Sequence, residues 1–495
     1  MKKLICGILV VLLLLCSACT QKQTFESVLA EANALHKAQT EMVPEESIRD
    51  YIPTLPETEL GFTEEELVSL TKDIGHNFNG EKRVTFSQAK QDVDLLFRVF
   101  RYCYGAFEYF GGDEVFGKAQ AAVLDDLNAL GVSFDASDMT TVLRKHLAFI
   151  QDGHFYINTS PIPELQSYFS TKELIFEQDK QGYFSQIDGE KQYLLSIDGD
   201  TETEGYMKLS IGSDGRLTYR LGMLDDANAR NKVVNVAFEK TTVSLMLDNA
   251  AFTQTYDPLP AYSEDWEAEV PVVACRDYTQ EDSFRSFVGA AIRLREEPMA
   301  ILDLRGNRGG DGGAVQAWLN NYDYYGIAKN LYGKGAFQLT TRASSYIFAC
   351  NLSSYSYPTA HNDPYDYLMH LYQSGENGCI LQKEDAKLSW NNAKGLLFVL
   401  MDNHIASGGE WLLAALRTRE NVIFVGTNSA GMILGSGGQN IALPNSKIHF
   451  AFGNSLLLSY DERVFQEGRG FLPDIWVSGD ALERVNALIA YYKLA

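Results

Sequence analysis

Hydrophobic and polar positions along this chain fall into three successive patterns. Between residues 83 and 159 the apolar positions recur at helical spacing. Leu95, Leu96, Val99, Phe100 and Cys103 stand at i, i+1, i+4, i+5 and i+8, which is one face of a helix. Aromatic residues crowd Phe97 to Phe110, and Gly111-Gly112-Asp113 breaks the run. A second helix is predicted from Phe116 to Leu130, stopped by Gly131, and a third from Met139 to Ile150, with caps offered by Asp135, Ser137 and Asp138. Core packing accounts for these stripes. Between 160 and 264 the pattern shortens to alternation. Tyr193–Ile197 and Val233–Phe238 read as strands between turn signals at Asp179–Gly182, Asp198–Asp200 and Ser213–Gly215. A small β-sandwich or barrel-like domain is expected there.

From 265 to 495 short apolar strands alternate with helices, the signature of an α/β domain. Ala300–Leu304 is a predicted strand. A glycine-rich turn follows, Arg305-Gly-Asn-Arg-Gly-Gly-Asp-Gly-Gly313, and then a helix from Ala314 to Leu319. Residues 321–383 interrupt the alternation with Tyr, Ser and Asn, and read either as a lid or as a packed insertion. The apolar run Leu396 to Met401 is a buried strand, and Ser407 precedes the helical pattern Trp411, Leu412, Leu413, Leu416. Strands are expected over Asn421–Val425, Ile448–Phe452 and Ser455–Leu458, and a closing helix over Ala481–Tyr492. The expected fold class is therefore multi-domain α+β: an N-terminal helical domain, a central β-rich domain and a C-terminal α/β domain.

Length and charge narrow the function classes. The chain has 495 residues, is 45% hydrophobic and carries a net charge of −23. It is long enough for several cores. Its acidity argues against nucleic acid or an anionic membrane surface as a partner. Residues 1–19 have the form of an export signal: Lys2 and Lys3, then an apolar run from Leu4 to Leu15 too short to span a bilayer. Cys16-Ser17-Ala18-Cys19 resembles a bacterial lipoprotein signal, which implies lipidation at Cys19 and a place in the cell envelope outside the cytoplasm. An ordinary secreted protein is the alternative. Residues 20–82 are broken by Pro44, Pro53 and Pro56, and 20–73 hold twelve Asp and Glu against four Lys and Arg. They are expected to be an acidic spacer, with His36 and His76 facing solvent. Cys103, Cys275, Cys350 and Cys379 contain no C-x-x-C pair, so no metal or redox motif is expected. Cys350 and Cys379 are either paired or free.

Candidate chemistry gathers at the turns. A serine between strand and helix either caps the helix or presents its hydroxyl as a nucleophile beside free N–H groups. Ser407 admits both readings. His154 sits where a helix ends in Gln151-Asp-Gly-His and a strand begins, and His404 lies three residues before Ser407. The turn from Gly309 to Gly313 bares backbone N–H groups suited to an oxyanion or a phosphate, although it is neither a P-loop nor a clean dinucleotide fingerprint.

Four pieces in order change the weighting: Asp152-Gly-His154, Asp303-Leu-Arg-Gly-Asn-Arg-Gly-Gly310, Ala406-Ser-Gly-Gly-Glu410 and Gly468-Arg-Gly-Phe-Leu-Pro-Asp474, with Gly426-Thr-Asn-Ser-Ala-Gly431 between the last two. As a set they resemble the tail-specific, or C-terminal-processing, serine peptidases, whose relatives include the tricorn core. The resemblance spans roughly residues 85–490 and implies a catalytic domain of the ClpP/crotonase-like kind. One scheme in that family pairs Ser with a Lys, but Met432 stands at the Lys position. The other carries over as Ser407 nucleophile, His154 general base and Glu467 orienting carboxylate. The resemblance places oxyanion donors at Gly408 and at Gly309 or Gly310, and assigns scaffold roles to Asp152, Asp303, Arg305, Asn307, Glu410 and Asp474. It also implies a possible degenerate PDZ unit within 160–264.

The function expected is a lipid-anchored extracytoplasmic serine endopeptidase that cleaves peptides or unfolded polypeptide through an acyl-enzyme, with no metal and no cofactor. Its alternative is a catalytically silent peptide- or glycan-binding lipoprotein on the same scaffold. A third reading is a phosphate binder at Gly309–Gly313, disfavoured by the lack of a nearby P-loop Lys.

Overall fold

The computed structural model describes residues 24–252, 259–354 and 364–495. The signal sequence and Cys19 lie outside the described residues.

A six-stranded sheet organises the C-terminal region in the order Tyr262–Asp265, Val272–Cys275, Met299–Asp303, Leu396–Met401, Val422–Gly426 and Ile475–Trp476. Only the first pair is antiparallel. The central strands read as unbroken apolar runs because both of their faces are covered. Leu397, Val399 and Met401 point to one side, against Phe287, Trp318 and Leu412 of the helices Glu281–Leu294, Gly312–Asp323 and Gly408–Leu416. Phe398 and Leu400 point to the other, against Phe25 and Val485 of Phe25–Gln39 and Ala481–Tyr492.

That second face corrects the expectation of a spacer over 20–82. Phe25, Val28, Ala32 and His36, at i, i+3, i+7 and i+11, form the buried stripe of the Phe25–Gln39 helix. Ile48, Phe62, Leu67 and Leu70 are buried further on. His36 does not face solvent: it is fully buried, and its Nε2 lies 2.8 Å from Asp474 Oδ1. The acidic side chains of this stretch occupy the opposite, solvated faces, so composition concealed a short amphipathic pattern. His76 is exposed, as expected.

The helices Phe86–Cys103, Gly112–Ala129 and Ala136–Leu147 share one core, in which all five residues of the expected apolar face are buried. They rest on a second sheet, ordered Cys379–Lys383, Gly335–Leu339, His449–Leu458, Tyr156–Ile157 and Ser160–Pro161, with Gly435–Ala442 also paired to His449–Leu458. The two strands expected at 448–458 are thus a single one. The 321–383 insertion supplies two strands of this sheet, and its Phe337, Leu339, Ala343 and Ile347 join the helical core. Of its two readings the packed insertion fits its described residues. None of the four described cysteines forms a disulfide.

Residues 166–249 form an eight-stranded antiparallel sheet. Phe176 and Tyr219 exchange backbone bonds at 2.9 Å, which curls its first strand toward its seventh. The region has no α-helix among its described residues, so it is a curled, barrel-like sheet, with nothing in it to support a PDZ-type unit.

Candidate active site

The strand Leu396–Met401 delivers the chain to Asp402, whose Oδ1 accepts the N–H groups of Gly306 and His404 at 3.0 and 3.1 Å. This pins the turn before Ser407 to the glycine-rich turn. Ser407 then occupies the N-cap position of Gly408–Leu416, yet it does not cap it. Its backbone is at φ 53°, ψ −122°, and its side chain bonds no helix N–H. A non-glycine residue in such a conformation costs on the order of 1–3 kcal/mol and persists only where its surroundings impose it. Those surroundings are identifiable. Ala406 N–H donates to Asn307 O at 3.1 Å, Ser407 N–H to Met432 O at 3.2 Å, and Trp411 N–H to Ser407 O at 3.0 Å. Of the two readings of Ser407, the structure disfavours the cap.

The glycine turn closes around this residue. A methyl group on Gly309 would lie 2.6 Å from Gly408 N and 3.0 Å from Ser407 Cβ, and Gly309 holds φ +87°, so only glycine fits. Asn307 is fully buried; its Nδ2 donates to Cys275 O at 2.9 Å, and its Oδ1 accepts the Gly309 N–H at 2.7 Å. That bond occupies the Gly309 donor. Of the pair Gly309 or Gly310, Gly310 is left as the second donor beside Gly408, whose own ideal Cβ would lie 3.4 Å from Gly310 N. The phosphate reading fails for the same reason. Asp311 caps the following helix by accepting the Gly313 N–H at 2.8 Å, so an anion already fills the place a phosphate would take.

His154 approaches from the helical region. Gly153 packs so closely on the 431–432 backbone that a methyl group there would meet Gly431 O and Met432 Cα, each at 2.8 Å. Asp152, fully buried, accepts the His154 N–H at 2.9 Å and the Tyr104 hydroxyl at 2.8 Å. Glu467 arrives on the loop before Ile475. Its Oε2 accepts the Gly153 N–H at 2.7 Å, and its Oε1 accepts those of Ile433 and Leu434 at 2.9 and 2.8 Å. Residues 431–434 are therefore the hub. Ser407 bonds Met432, Gly153 lies on Gly431 and Met432, and Glu467 bonds Ile433 and Leu434. The Met432 side chain lies against Gly153, and its sulfur receives the Tyr156 hydroxyl at 3.8 Å.

The structure brings the three elements together without a hydrogen bond between Ser407 Oγ and the His154 ring. His154 Nδ1 is buried with no partner, while Glu467 Oε2, bonded to the N–H of Gly153 immediately before His154, accepts a single bond and retains a lone pair. Burial lowers the His154 pKa against the pull of Asp152, which favours the neutral imidazole. Burial first, and the Asp152 charge second, raise Glu467 well above the usual carboxylate range.

Glu410 is the residue whose weight the sequence understated. It is fully buried, and it accepts from Ser429 Oγ at 2.6 Å, Gly431 N at 2.8 Å and Met432 N at 2.6 Å. It thus ties the helix after Ser407 to the hub. Burial pushes its pKa up to about 7 against these bonds. The spacing Ser407-x-x-Glu410 was a visible signal; its partners, from 19 to 22 residues downstream, were not. Tyr104 had no signal at all. The other scaffold residues are engaged as well. Asp303 holds Arg305 through two bonds of 2.8 Å, and Asp474 Oδ2 accepts the Phe424 N–H at 2.8 Å. No group of acidic, His or Cys residues suited to a metal occurs among the described residues.

Comparison with known proteins gives one family. The family model for Peptidase family S41 matches residues 272–477. No curated protein matches. Among solved structures, mature CPAF complexed with lactacystin is 13% identical, covering 83% of this chain and 97% of that one, at a TM-score of 0.38. The photosystem II D1 C-terminal processing protease is 12% identical, covering 81% and 96%, at 0.34. The tricorn protease is 11% identical, covering 83% and 37%, at 0.32. The matched span takes in Ser407, the glycine turn and Glu467, and with it the C-terminal region of this chain is that of a serine peptidase of family S41.

Proposed function

We propose that this protein is a lipid-anchored endopeptidase acting outside the cytoplasm on peptides or unfolded polypeptide, with Ser407, His154 and Glu467 as its catalytic residues. The observation that carries this reading is the strained, uncapped Ser407, enclosed by the Gly309–Gly310 turn at a helix start. In this reading Ser407 Oγ attacks the scissile carbonyl carbon while His154 Nε2 takes its proton. The N–H groups of Gly408 and Gly310 hold the resulting oxyanion, and losing one such donor typically costs about a hundred- to a thousandfold in rate. The imidazolium then protonates the departing amine, and the acyl group stays on Ser407. Water, deprotonated by His154, releases it. Glu467 supplies the spare lone pair of Oε2 to His154 Nδ1 and stabilises the imidazolium. Lys2, Lys3, the Leu4–Leu15 run and Cys19 support the address and the anchor. A conformation strained at one serine gives the silent-scaffold alternative no support.

Labelling the detergent-solubilised full chain with a serine-directed fluorophosphonate tests the reading. The expected result is one labelled site, lost in Ser407→Ala and His154→Ala and weakened in Glu467→Ala. A folded parent that takes no label, or a label that survives Ser407→Ala, overturns it. Replacing Cys19 by Ser tests the anchor: the protein is expected to leave the membrane fraction, and its retention there removes that part of the proposal.

A further inference from the structure

Two arginines of the glycine turn have opposite situations. Arg305 is buried, and its guanidinium is engaged by Asp303 and, at 3.0 Å, by Asp480. Arg308, three residues on, is exposed, and no carboxylate among the described residues pairs with it. Its backbone is nevertheless fixed. Asn307 before it is pinned by Cys275 O and Ala406 N–H, and Gly309 after it donates to Asn307 and accepts the Tyr278 N–H at 3.1 Å. The Cα of Arg308 thus stands at a set place beside Ser407. Its charge acts on the Tyr156 hydroxyl, lowering a pKa that burial and Asp152 raise. Tyr156 belongs to the short strand that follows His154, and its hydroxyl touches Met432, the residue whose carbonyl holds Ser407 N–H. The side chain therefore carries its charge from the nucleophile's loop toward the strand of the base. On a chain of net charge −23, this cation is thus left without a carboxylate among the described residues.

We propose that Arg308 is a specificity-determining residue of the site around Ser407 and receives a carboxylate of the substrate close to the scissile bond. This inference rests on the peptidase reading above. A planar guanidinium pairs with a carboxylate through two parallel hydrogen bonds, which fix orientation as well as charge. Two sources have this chemistry: an Asp or Glu side chain, and the free C-terminus of a short peptide. The position beside the oxyanion donors makes the pairing act on substrate placement, so the effect is expected chiefly in KM.

The test compares kcat/KM for peptides in sets, with the detergent-solubilised full chain. One set carries Asp or Glu against Asn or Gln at each position flanking the cleaved bond, all with amidated C-termini. A second set is neutral inside and ends in either a free acid or an amide, the cut lying one to three residues from that end. The parent is expected to favour the carboxylate of one set by about tenfold, the worth of one charge-assisted pair in a partly dry site. The preference is expected to shrink as salt rises from 50 to 500 mM. In Arg308→Gln the ratio falls toward one, and in Arg308→Glu it falls below one. The set that shows the ratio names the source of the carboxylate. Cleavage of neutral peptides by a parent with no carboxylate preference overturns the inference and leaves the peptidase reading standing. So does a preference that survives in Arg308→Gln. A parent that takes no fluorophosphonate and cleaves no peptide overturns both.

Discussion

Two helix starts in this molecule share one sequence pattern and use it differently. Thr63-x-x-Glu66 opens the helix Glu64–Thr71 as a capping box: Thr63 lies at φ −78°, ψ 158°, its hydroxyl accepts the Glu66 N–H, and Glu66 accepts the Thr63 N–H at 2.9 Å. Ser407-x-x-Glu410 has the same spacing. Its Glu instead accepts from Ser429, Gly431 and Met432, the serine is turned to φ 53°, and its hydroxyl is left out. The difference lies in what surrounds each start. At Thr63 the box is satisfied locally and faces water. At Ser407 the Asn307 carbonyl and the Met432 carbonyl claim the backbone first. Tertiary bonds thus convert a helix-start signal of local structure into a hydroxyl free of the cap, and the glutamate ties the nucleophile's helix to the loop carrying Met432.

Four experiments would break or sharpen this contrast. The largest effect is expected from Ser407→Ala, with kcat/KM reduced by about 10⁴ or more, as for other triad nucleophiles. Its stability should hold within about 0.5 kcal/mol, because no cap is lost. A melting temperature that falls with activity would restore the capping reading. Gly309→Ala places a methyl group against Gly408 N and forces φ +87° on an alanine. A loss of about 10²–10³ in kcat is expected, since the donor pair is spread, and a rate within threefold of the parent would remove this turn from the oxyanion site.

The two glutamates should also respond to pH with opposite signs. Glu410 has its folded pKa raised to about 7, so it binds its proton more tightly folded than unfolded. Its stabilising contribution is complete below the ordinary carboxylate value and is lost as pH rises toward 7, on the order of 3 kcal/mol at the limit. Glu66 has its folded pKa lowered, first by the Arg98 hydrogen bond, so its contribution is present above the ordinary value and lost as pH falls below it. Melting curves from pH 4 to 8 for the parent, Glu410→Gln and Glu66→Gln check this by difference. Equal slopes in parent and Glu410→Gln over pH 5–7 would contradict it. The smallest effect is expected from Thr85→Ala, about 1 kcal/mol of stability with kcat unchanged, read by urea unfolding and peptide turnover. Thr85 caps Phe86–Cys103 as Thr63 caps its helix, far from the hub.

These contrasts also mark how far the sequence could be read. Elements with a strong period were legible: the Leu396–Met401 strand and the Ala481–Tyr492 helix lie where their patterns put them. So were residues whose role is local, such as the glycines of the 305–313 turn. The Phe25–Gln39 helix was hidden because four buried positions were outvoted by acidic neighbours on its other faces. Gly309 and Gly310 could not be told apart as donors, because the choice depends on one amide, Asn307, whose direction only the packed turn decides. The contact of Glu467 with Gly153 joins residues 314 apart in the chain, and neither flanking sequence carries a mark of the other. Order and residue type located the chemistry, and long-range backbone bonds decided its geometry.

If the proposed anchor at Cys19 holds, the docked Phe25–Gln39 helix sets the working range of the enzyme. A free tether over residues 20–82 would let the catalytic region roam about 200 Å from a lipid at Cys19, at the extended limit of about 3.4 Å per residue. The helix beginning at Phe25, fastened by its His36 to Asp474 on the same loop as Glu467, starts the described fold at most about 20 Å of chain from Cys19. With the proposed anchor in place, the protein is collared to the bilayer. It would patrol a layer one molecule deep, and a substrate would have to come to that layer to be cut.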